Sequence, residues 1–317
     1  MHPLTARAAG LVLGWLADEA LGDPARRHPV AGFGTVATAL ERRTYADTRS
    51  AGVRHLAVLL TATVAASALL DRATRRTPLL TIPLTAAATW TVLGGRSLRR
   101  EANAVREHLD NHDLPAARTR IRSLVGRDPT NLTADELARA TVESVAENTS
   151  DAVVAPLFWG AVAGIPGLLT YRAVNTLDAM IGHRNARYRH FGWAAARLDD
   201  AANWLPARLA ALLTAVAAPV VGGSATTALR TVRADAHRHP SPNAGPVEAA
   251  FAGALGVRLG GVNEYAGLVE DRGTLGDGPP VTPADIPRAN RLAATVTALS
   301  CLVTAAFATI RTRSGHS

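Results

Sequence analysis

Six apolar stretches constrain what this 317-residue chain can fold into: roughly residues 4–20, 55–70, 79–95, 152–171, 205–223 and 292–310. A helix needs about 20 apolar residues to cross a hydrocarbon core about 30 Å thick. The last stretch, LAATVTALSCLVTAAFATI, fits that length best, and Arg291 and Arg311 bracket it. The 205–223 run opens at Pro206 and closes on Gly222 and Gly223. The 55–70 and 79–95 runs are short and predict a helical hairpin through the turn Asp71–Pro78. The 152–171 run carries Pro156, Gly160, Gly164, Pro166 and Gly167. Interrupted helices persist at membrane depth only where protein or a water-filled cavity surrounds them. The expectation is therefore an all-α, polytopic integral membrane protein with long polar inter-helix segments and one broken or re-entrant helix. A soluble helical protein with Ala-rich buried helices is the competing reading.

Composition supports the helical reading. Hydrophobic residues make up 48% of the chain and aromatic residues only 4%, so most apolar volume is Ala, Leu and Val, which suits close helix packing. The sequence contains no Lys, and every fixed side-chain cation is Arg. That excludes a P-loop lysine and Schiff-base chemistry. The single cysteine, Cys301, excludes an intramolecular disulfide. The formal net charge of +8 suits anionic lipid or a phosphorylated small molecule. No basic–aromatic pattern for nucleic acid occurs.

The segment 96–140 reads as helical, and Arg96 to His108 within it is polar and amphipathic. Thr133 and Glu136 have the spacing of a capping box that starts a helix running through Glu143. Residues 271–287 read as a Gly/Pro-rich surface loop, and no strand-rich stretch stands out.

Polar residues concentrate within and beside the apolar runs, where charge is costly. Glu143, Glu147 and Asp151 fall at i, i+4 and i+8 on one helix face. Three carboxylates in a row invite a cation such as Mg²⁺, which takes one or two carboxylates plus substrate phosphate; a solvated helix face is the plainer alternative. Arg172, Asn175 and Asp178 form a second group. His183, Arg184, Asn185, Arg187 and Arg189 form a third, and guanidinium forks suit phosphate or carboxylate as well as a lipid surface. Asp199 and Asp200 either cap the 205–223 helix or bind metal. His28 sits on a loop stiffened by Pro24 and Pro29. Asp235, His237, His239 and Asn243 form either a metal site or a phosphate-binding loop.

Five blocks carry a family resemblance: GDPARRHPV at 22–30, VGRDPTNL at 125–132, RATVESVAENTSDAVVAPLFW at 139–159, the run from Pro166 to Leu209, and HRHPSPNAGPVEAAFAGALGVRLGG at 237–261. In this order they resemble the CobD/CbiB family of cobalamin biosynthesis, the adenosylcobinamide-phosphate synthases. Two positions depart from the family's usual pattern. Pro129 interrupts a Gly-Arg-Asp-Thr motif, and Ala152 stands where Gly is more usual.

The resemblance implies a single membrane-embedded domain over 1–317, a multi-pass location in the cell membrane and a site facing the cytoplasm. It implies amide formation between a propionate carboxyl of adenosylcobyric acid and the amine of (R)-1-amino-2-propanol phosphate, with ATP and Mg²⁺. In that chemistry the metal is expected on Glu143, Glu147, Asp151, Asp199 and Asp200, with Asp178 as a catalytic residue beside it. Phosphate is expected on Arg172, Asn175, Arg184, Asn185, Arg187, Arg189 and Asn243, and the amine proton on His28 or His183. Contacts with membrane lipid and with other enzymes of the pathway are further expectations. The alternative is a non-catalytic corrinoid transporter or scaffold.

Overall fold

The computed structural model describes the chain except residues 1–2, 24–27, 76, 127, 184, 266–267 and 311–317, and the side chains of 3, 75, 78, 263–265 and 268–270. Helices dominate. They are α1 (Pro3–Leu21), α2 (Pro29–Thr44), α3 (Arg49–Arg75), α4 (Pro78–Val92), α5 (Gly95–Asp110) and α6 (Leu114–Ile121). Then come α7 (Ala134–Thr149), a π-helical turn (Ser150–Val154), α8 (Ala155–Ile181), α9 (Trp193–Ala217), α10 (Ala225–Asp235) and α11 (Ala244–Leu255). Strands β1 (Leu259–Tyr265) and β2 (Leu268–Leu275) pair antiparallel, and α12 (Ile286–Ile310) closes the described chain. Two compact units result, each assembled from separated pieces of chain.

The first unit holds residues 1–94, 155–203 and 301–317. Here α1 packs along α4, and α8 packs against α2, α3 and α4. The α1–α4 seam is made by small residues. A Cβ at Gly10 would strike Thr85, and one at Gly14 would strike Thr89. Glycines four apart let two backbones approach closely, which is how helices associate where the surroundings are as apolar as the side chains.

Helix α8 is broken, as its glycines and prolines foretell. Gly164 has φ 68° and ψ −145°, a conformation glycine adopts readily and other residues do not. Beyond it the chain turns back. A Cβ on Gly160 would press on Leu168, and one on Gly167 would strike the Trp159 carbonyl. In a straight helix residues eight apart lie about 12 Å from each other, so 155–163 and 165–181 form a hairpin. Pro166 sits at the start of the second arm, where its missing N–H costs no helical hydrogen bond.

The second unit holds 95–154 and 204–300. Leu98, Ala102, Val105 and Leu109 line the buried face of α5, matching the amphipathic expectation. The capping box forms: Thr133 Oγ1 accepts from the Glu136 N–H, and Glu136 reaches back to the Thr133 N–H at 2.8 Å. Its core joins these residues to Phe251, Leu255, Leu259, Leu275 and Leu292.

Two expectations change. The segment 271–287 is not wholly loop, because 271–275 belongs to β2. Gly260, Gly261 and Gly273 thin the alternation that marks a strand, and a bulge between Gly260 and Val262 breaks the register. Nor does α9 start at Pro206. It starts at Trp193, with Pro206 inside it.

All six apolar runs lie wholly or mainly in helices, 79–95 outrunning α4 at Leu93 and 205–223 ending beyond the helical turn at Gly222 and Gly223. Among the described residues, four helical stretches are long and apolar enough to cross a membrane: Arg49–Thr74, Ala134–Ile181, Trp193–Val221 and Pro283–Ile310. The second includes the reversal at Gly164, so it is not one straight rod.

Candidate functional site

In the first unit, the second arm of α8 and the first turns of α9 carry a connected polar chain. Arg172 Nη1 donates to Asn175 Oδ1 at 3.4 Å, and Asn175 Nδ2 donates to Asp199 Oδ1 at 3.4 Å. Asn203 Nδ2 donates to Asp199 Oδ2 at 2.9 Å, and the Tyr171 hydroxyl donates to Asn203 Oδ1 at 2.8 Å. Helical spacing explains the grouping: 171, 172, 175 and 178 share one side of α8, and 199 and 203 one side of α9. Asp178 and, less strongly, Asp200 act electrostatically on Asp199. Three carboxylates are thus gathered beside two amides and a guanidinium. Asp199 and Asp200 do not cap their helix, since α9 begins six residues before Asp199.

A cavity of about 190 Å³ adjoins this chain. Pro29, Val30 and Phe33 of α2 face Leu169, Arg172, Ala173 and Thr176 of α8 across it, with Thr63, Thr91 and Val92 completing the wall. Arg172 is the charged residue of that lining. His28 is the N-cap of α2, next in sequence to Pro29 of that lining, its Nδ1 accepting from the Val30 N–H at 3.2 Å. In the neutral ring this bond places the proton on Nε2, leaving a donor there. His28 therefore suits an anionic group better than the proton-accepting role expected of it.

The loop after α8 is fastened to α2. Arg187 Nη2 reaches Glu41 Oε1 at 2.8 Å and stacks on the Tyr45 ring at 4.2 Å. The Tyr45 hydroxyl donates to the Arg187 carbonyl at 3.0 Å, and the Tyr188 hydroxyl donates to Glu41 at 3.1 Å. Glu41 is buried, and its bond raises the Arg187 pKa. Arg187 is thus committed to a carboxylate rather than held open for phosphate. Asn185 Oδ1 accepts from the Tyr188 N–H at 2.9 Å, a turn-capping role. His183 and Arg189 are exposed, and Arg184 lies outside the described residues.

In the second unit, Glu143 is buried and accepts the Gly260 N–H at 2.9 Å, with Arg139 Nε 3.9 Å away. Its carboxylate secures a backbone turn. Glu147 and Asp151 on the same face are partly exposed, and Asp151 belongs to the π-helical turn, a feature that often marks functional sites. Asn148 turns back to Ser144, donating to its carbonyl at 2.9 Å and to its hydroxyl at 3.1 Å. Among the described residues, no three His, Cys, Asp or Glu side chains converge on one metal position.

The 235–243 loop is likewise structural. Asp235 accepts from the Gly276 N–H at 2.9 Å and pairs with Arg238. His237 is exposed while His239 is buried, so the two do not share a metal. Asn243 Oδ1 accepts from Arg208 at 3.1 Å. Asp128 accepts from both the Thr130 N–H and hydroxyl, which holds its carboxyl below the usual range.

These bonds also single out residues that spacing did not. Glu41, Tyr45 and Tyr171 gave no signal, because each meets its partner only through the packing of distant segments.

Comparison with known proteins settles the relationship. A family model described as CobD/Cbib protein matches residues 11–293. The chain belongs to the CobD/CbiB family. A protein of Mycobacterium tuberculosis strain H37Rv, named cobalamin biosynthesis protein CobD, is 53% identical over 285 residues, covering 89% of this chain and 90% of that protein. Proteins of the same name from Chromobacterium violaceum and Geobacter metallireducens are 47% and 45% identical, again over 89% of this chain and 90% of theirs. No solved structure matches this CobD/CbiB chain.

Proposed function

We propose that this protein works in cobalamin biosynthesis as an amide ligase, joining a propionate carboxyl of adenosylcobyric acid to the amine of (R)-1-amino-2-propanol phosphate. The observation that carries the reading is the linked chain Arg172–Asn175–Asp199–Asn203–Tyr171 beside the Arg172 cavity, in a chain that matches the family from 11 to 293. A carboxylate is a poor electrophile, and ATP supplies the phosphoryl group that converts it into an activated acyl donor. Attack by the amine then forms the C–N bond and releases phosphate, and the amine loses its proton.

Mg²⁺ requires one or two protein carboxylates beside phosphate and water. Asp178 and Asp199 meet that requirement in the first unit, and Glu147 and Asp151 in the second. Glu143 does not, because its carboxylate holds Gly260. The amides of Asn175 and Asn203 fix the orientation of Asp199, the outer-shell role that such carboxylates need. Arg172 places a cation at the cavity wall for a substrate carboxylate or phosphate, and His28, beside Pro29 of that wall in sequence, offers a donor to an anionic group. In this reading the site faces the cytoplasm, because nucleotide is available there.

The test uses the full chain purified in detergent with ATP, Mg²⁺, adenosylcobyric acid and each candidate amino alcohol phosphate. Amide product formed with matching ADP release supports the reading. Corrinoid uptake by vesicles containing the protein, with no product, overturns it in favour of a transporter, which the reversal at Gly164 would also suit.

A further inference from the structure

At one end of the first unit, the last turn of α2, the first turns of α3 and α9 and the 182–192 loop meet. Arg49 stacks on the Trp193 ring at 5.0 Å, and His190 reaches Asp47 at 3.1 Å. A Cβ on Gly52 would strike the Phe191 carbonyl, so the starts of α3 and α9 lie side by side. We infer that this end is a collar for the headgroups of anionic phospholipid, built on arginines that no carboxylate of the described chain neutralises.

Charge carries the first step. Arg42, Arg43, Arg49, Arg54, Arg189 and Arg197 are all exposed here. The acids among them are already engaged, Glu41 by Arg187 and Tyr188, and Asp47 by His190. Among the described residues, no carboxylate pairs with any of these guanidinium groups. Like charges gathered without a counter-charge repel one another. The fold therefore maintains a positive field that an external anion relieves.

The surroundings of the charge select lipid over a soluble anion. Val53, Trp193 and Leu198 are exposed among the arginines. On α3, Arg49 and Val53 are four residues apart, as are Arg54 and Val58, so each arginine leads onto an exposed apolar residue on its own side of the helix. Exposed apolar residues continue through Val64 and Leu69 within the membrane-crossing stretch Arg49–Thr74. The collar is thus continuous with the face a bilayer covers, and a free phosphate would need none of these neighbours. Arginine lays its stem on apolar surface and keeps its head at the interface. Tryptophan concentrates at the same level, and the Arg49–Trp193 stack joins the two. Roughly four to eight basic residues beside a crossing helix mark an anionic-lipid surface.

The inference rests on α3 crossing the bilayer and not on the amide ligation. The full chain in detergent is titrated with short-chain phosphatidylglycerol, short-chain phosphatidylcholine, glycerol phosphate and polyglutamate, and binding is read from the rise in thermal midpoint. Phosphatidylglycerol should bind about tenfold more tightly than phosphatidylcholine or better, a margin that shrinks as salt is added. Each arginine near an anionic lipid surface contributes roughly fivefold, so Arg42→Gln, Arg43→Gln and Arg54→Gln combined should erase the margin. Lys at the same three positions should keep it, because charge rather than the guanidinium fork carries it. Arg230→Gln, Arg233→Gln and Arg258→Gln combined remove the same charge from exposed positions of the second unit and should keep it as well. Phosphatidylcholine should bind every variant as it binds the wild type. A wild-type margin in the first-unit Gln variant, or an equal loss in the second-unit variant, overturns the collar. Glycerol phosphate binding as tightly as phosphatidylglycerol also overturns it, in favour of a free-phosphate site. Polyglutamate binding without any lipid preference overturns it in favour of an acidic protein partner.

Discussion

Asn203 links two groups that would otherwise be stranded. It donates to Asp199 and accepts from the Tyr171 hydroxyl, and Asn203 and Tyr171 are both buried. Asn203→Ala removes both bonds at once. Leaving such groups unmatched costs about 1–3 kcal/mol, and losing an orienting partner of a metal carboxylate costs roughly 10–100-fold in affinity or activity. With Asp199 as the metal carboxylate of the proposed reaction, the expected result is a lowered thermal midpoint together with a loss of amide synthesis of roughly 10–100-fold. Asn203→Asp, which retains the acceptor for Tyr171 but sets a carboxylate against Asp199, should do worse. A second residue-scale prediction concerns His239. Its ring is buried, Glu248 lies 3.5 Å from its Nε2, and Arg272 stands 3.8 Å from Glu248. Burial first, then the Arg272 charge, pushes its pKa down to about 4. The unfolded chain, with an ordinary histidine near 6.5, takes up a proton first as the pH falls. Stability is therefore full above about pH 6.5 and declines toward pH 4, by at most about 3 kcal/mol for a shift of this size. His239→Gln should flatten the pH dependence of the melting temperature between pH 6.5 and 4.5. Local signals explain which residues were legible beforehand. The Thr133–Glu136 box lies within four residues and was readable. The Arg187–Glu41 pair spans 146 positions, and no spacing rule reaches that far.

At the scale of elements, glycines decide where the backbone bends and how closely it packs. The reversal in α8 rests on Gly164, whose positive φ is joined by the Arg7 guanidinium 2.8 Å from where a Cβ would stand. Gly164→Ala should cost on the order of 1–3 kcal/mol from backbone strain alone, and Gly164→Leu more, read as a lowered midpoint of the detergent-solubilised protein. If Gly164→Ala melts like the wild type, the reversal is not enforced at that residue. The broken helix was legible because Gly and Pro act locally. The β1–β2 hairpin was not, since its pairing depends on Glu143 and Arg139 seizing Gly260 from another segment. Helix α9 shows the opposite error. Pro206 looked like a start, but a proline inside a helix is tolerated where neighbouring packing holds the turn, and the polar residues before it proved to be helical.

At the scale of the whole molecule, the family match from 11 to 293 runs through both compact units, so the polar groups of each lie within the matched stretch. The apolar residues are not all used inside. Along α3, Val53, Val58, Val64 and Leu69 are exposed, and along α12 so are Leu302, Val303, Phe307 and Ile310. A soluble protein rarely leaves apolar stripes of this length uncovered, whereas a bilayer covers them without any partner. This decides against the soluble protein with Ala-rich buried helices: the mean hydropathy is only +0.08 because long polar segments dilute the average, while the exposed faces keep the membrane signal. The consequence is measurable. The protein should stay with the membrane pellet through high-salt and alkaline washes and be released only by detergent. Replacing Val58, near the middle of the Arg49–Thr74 stretch, with Asp should disfavour insertion by about 2.5–3.5 kcal/mol. The same change at exposed Leu205 should behave similarly if α9 meets lipid at that depth. Val262→Asp, an exposed apolar position on the β1–β2 hairpin, should leave membrane association unchanged. A protein that washes off in salt, or one in which Val58→Asp partitions like the wild type, would place α3 outside the bilayer.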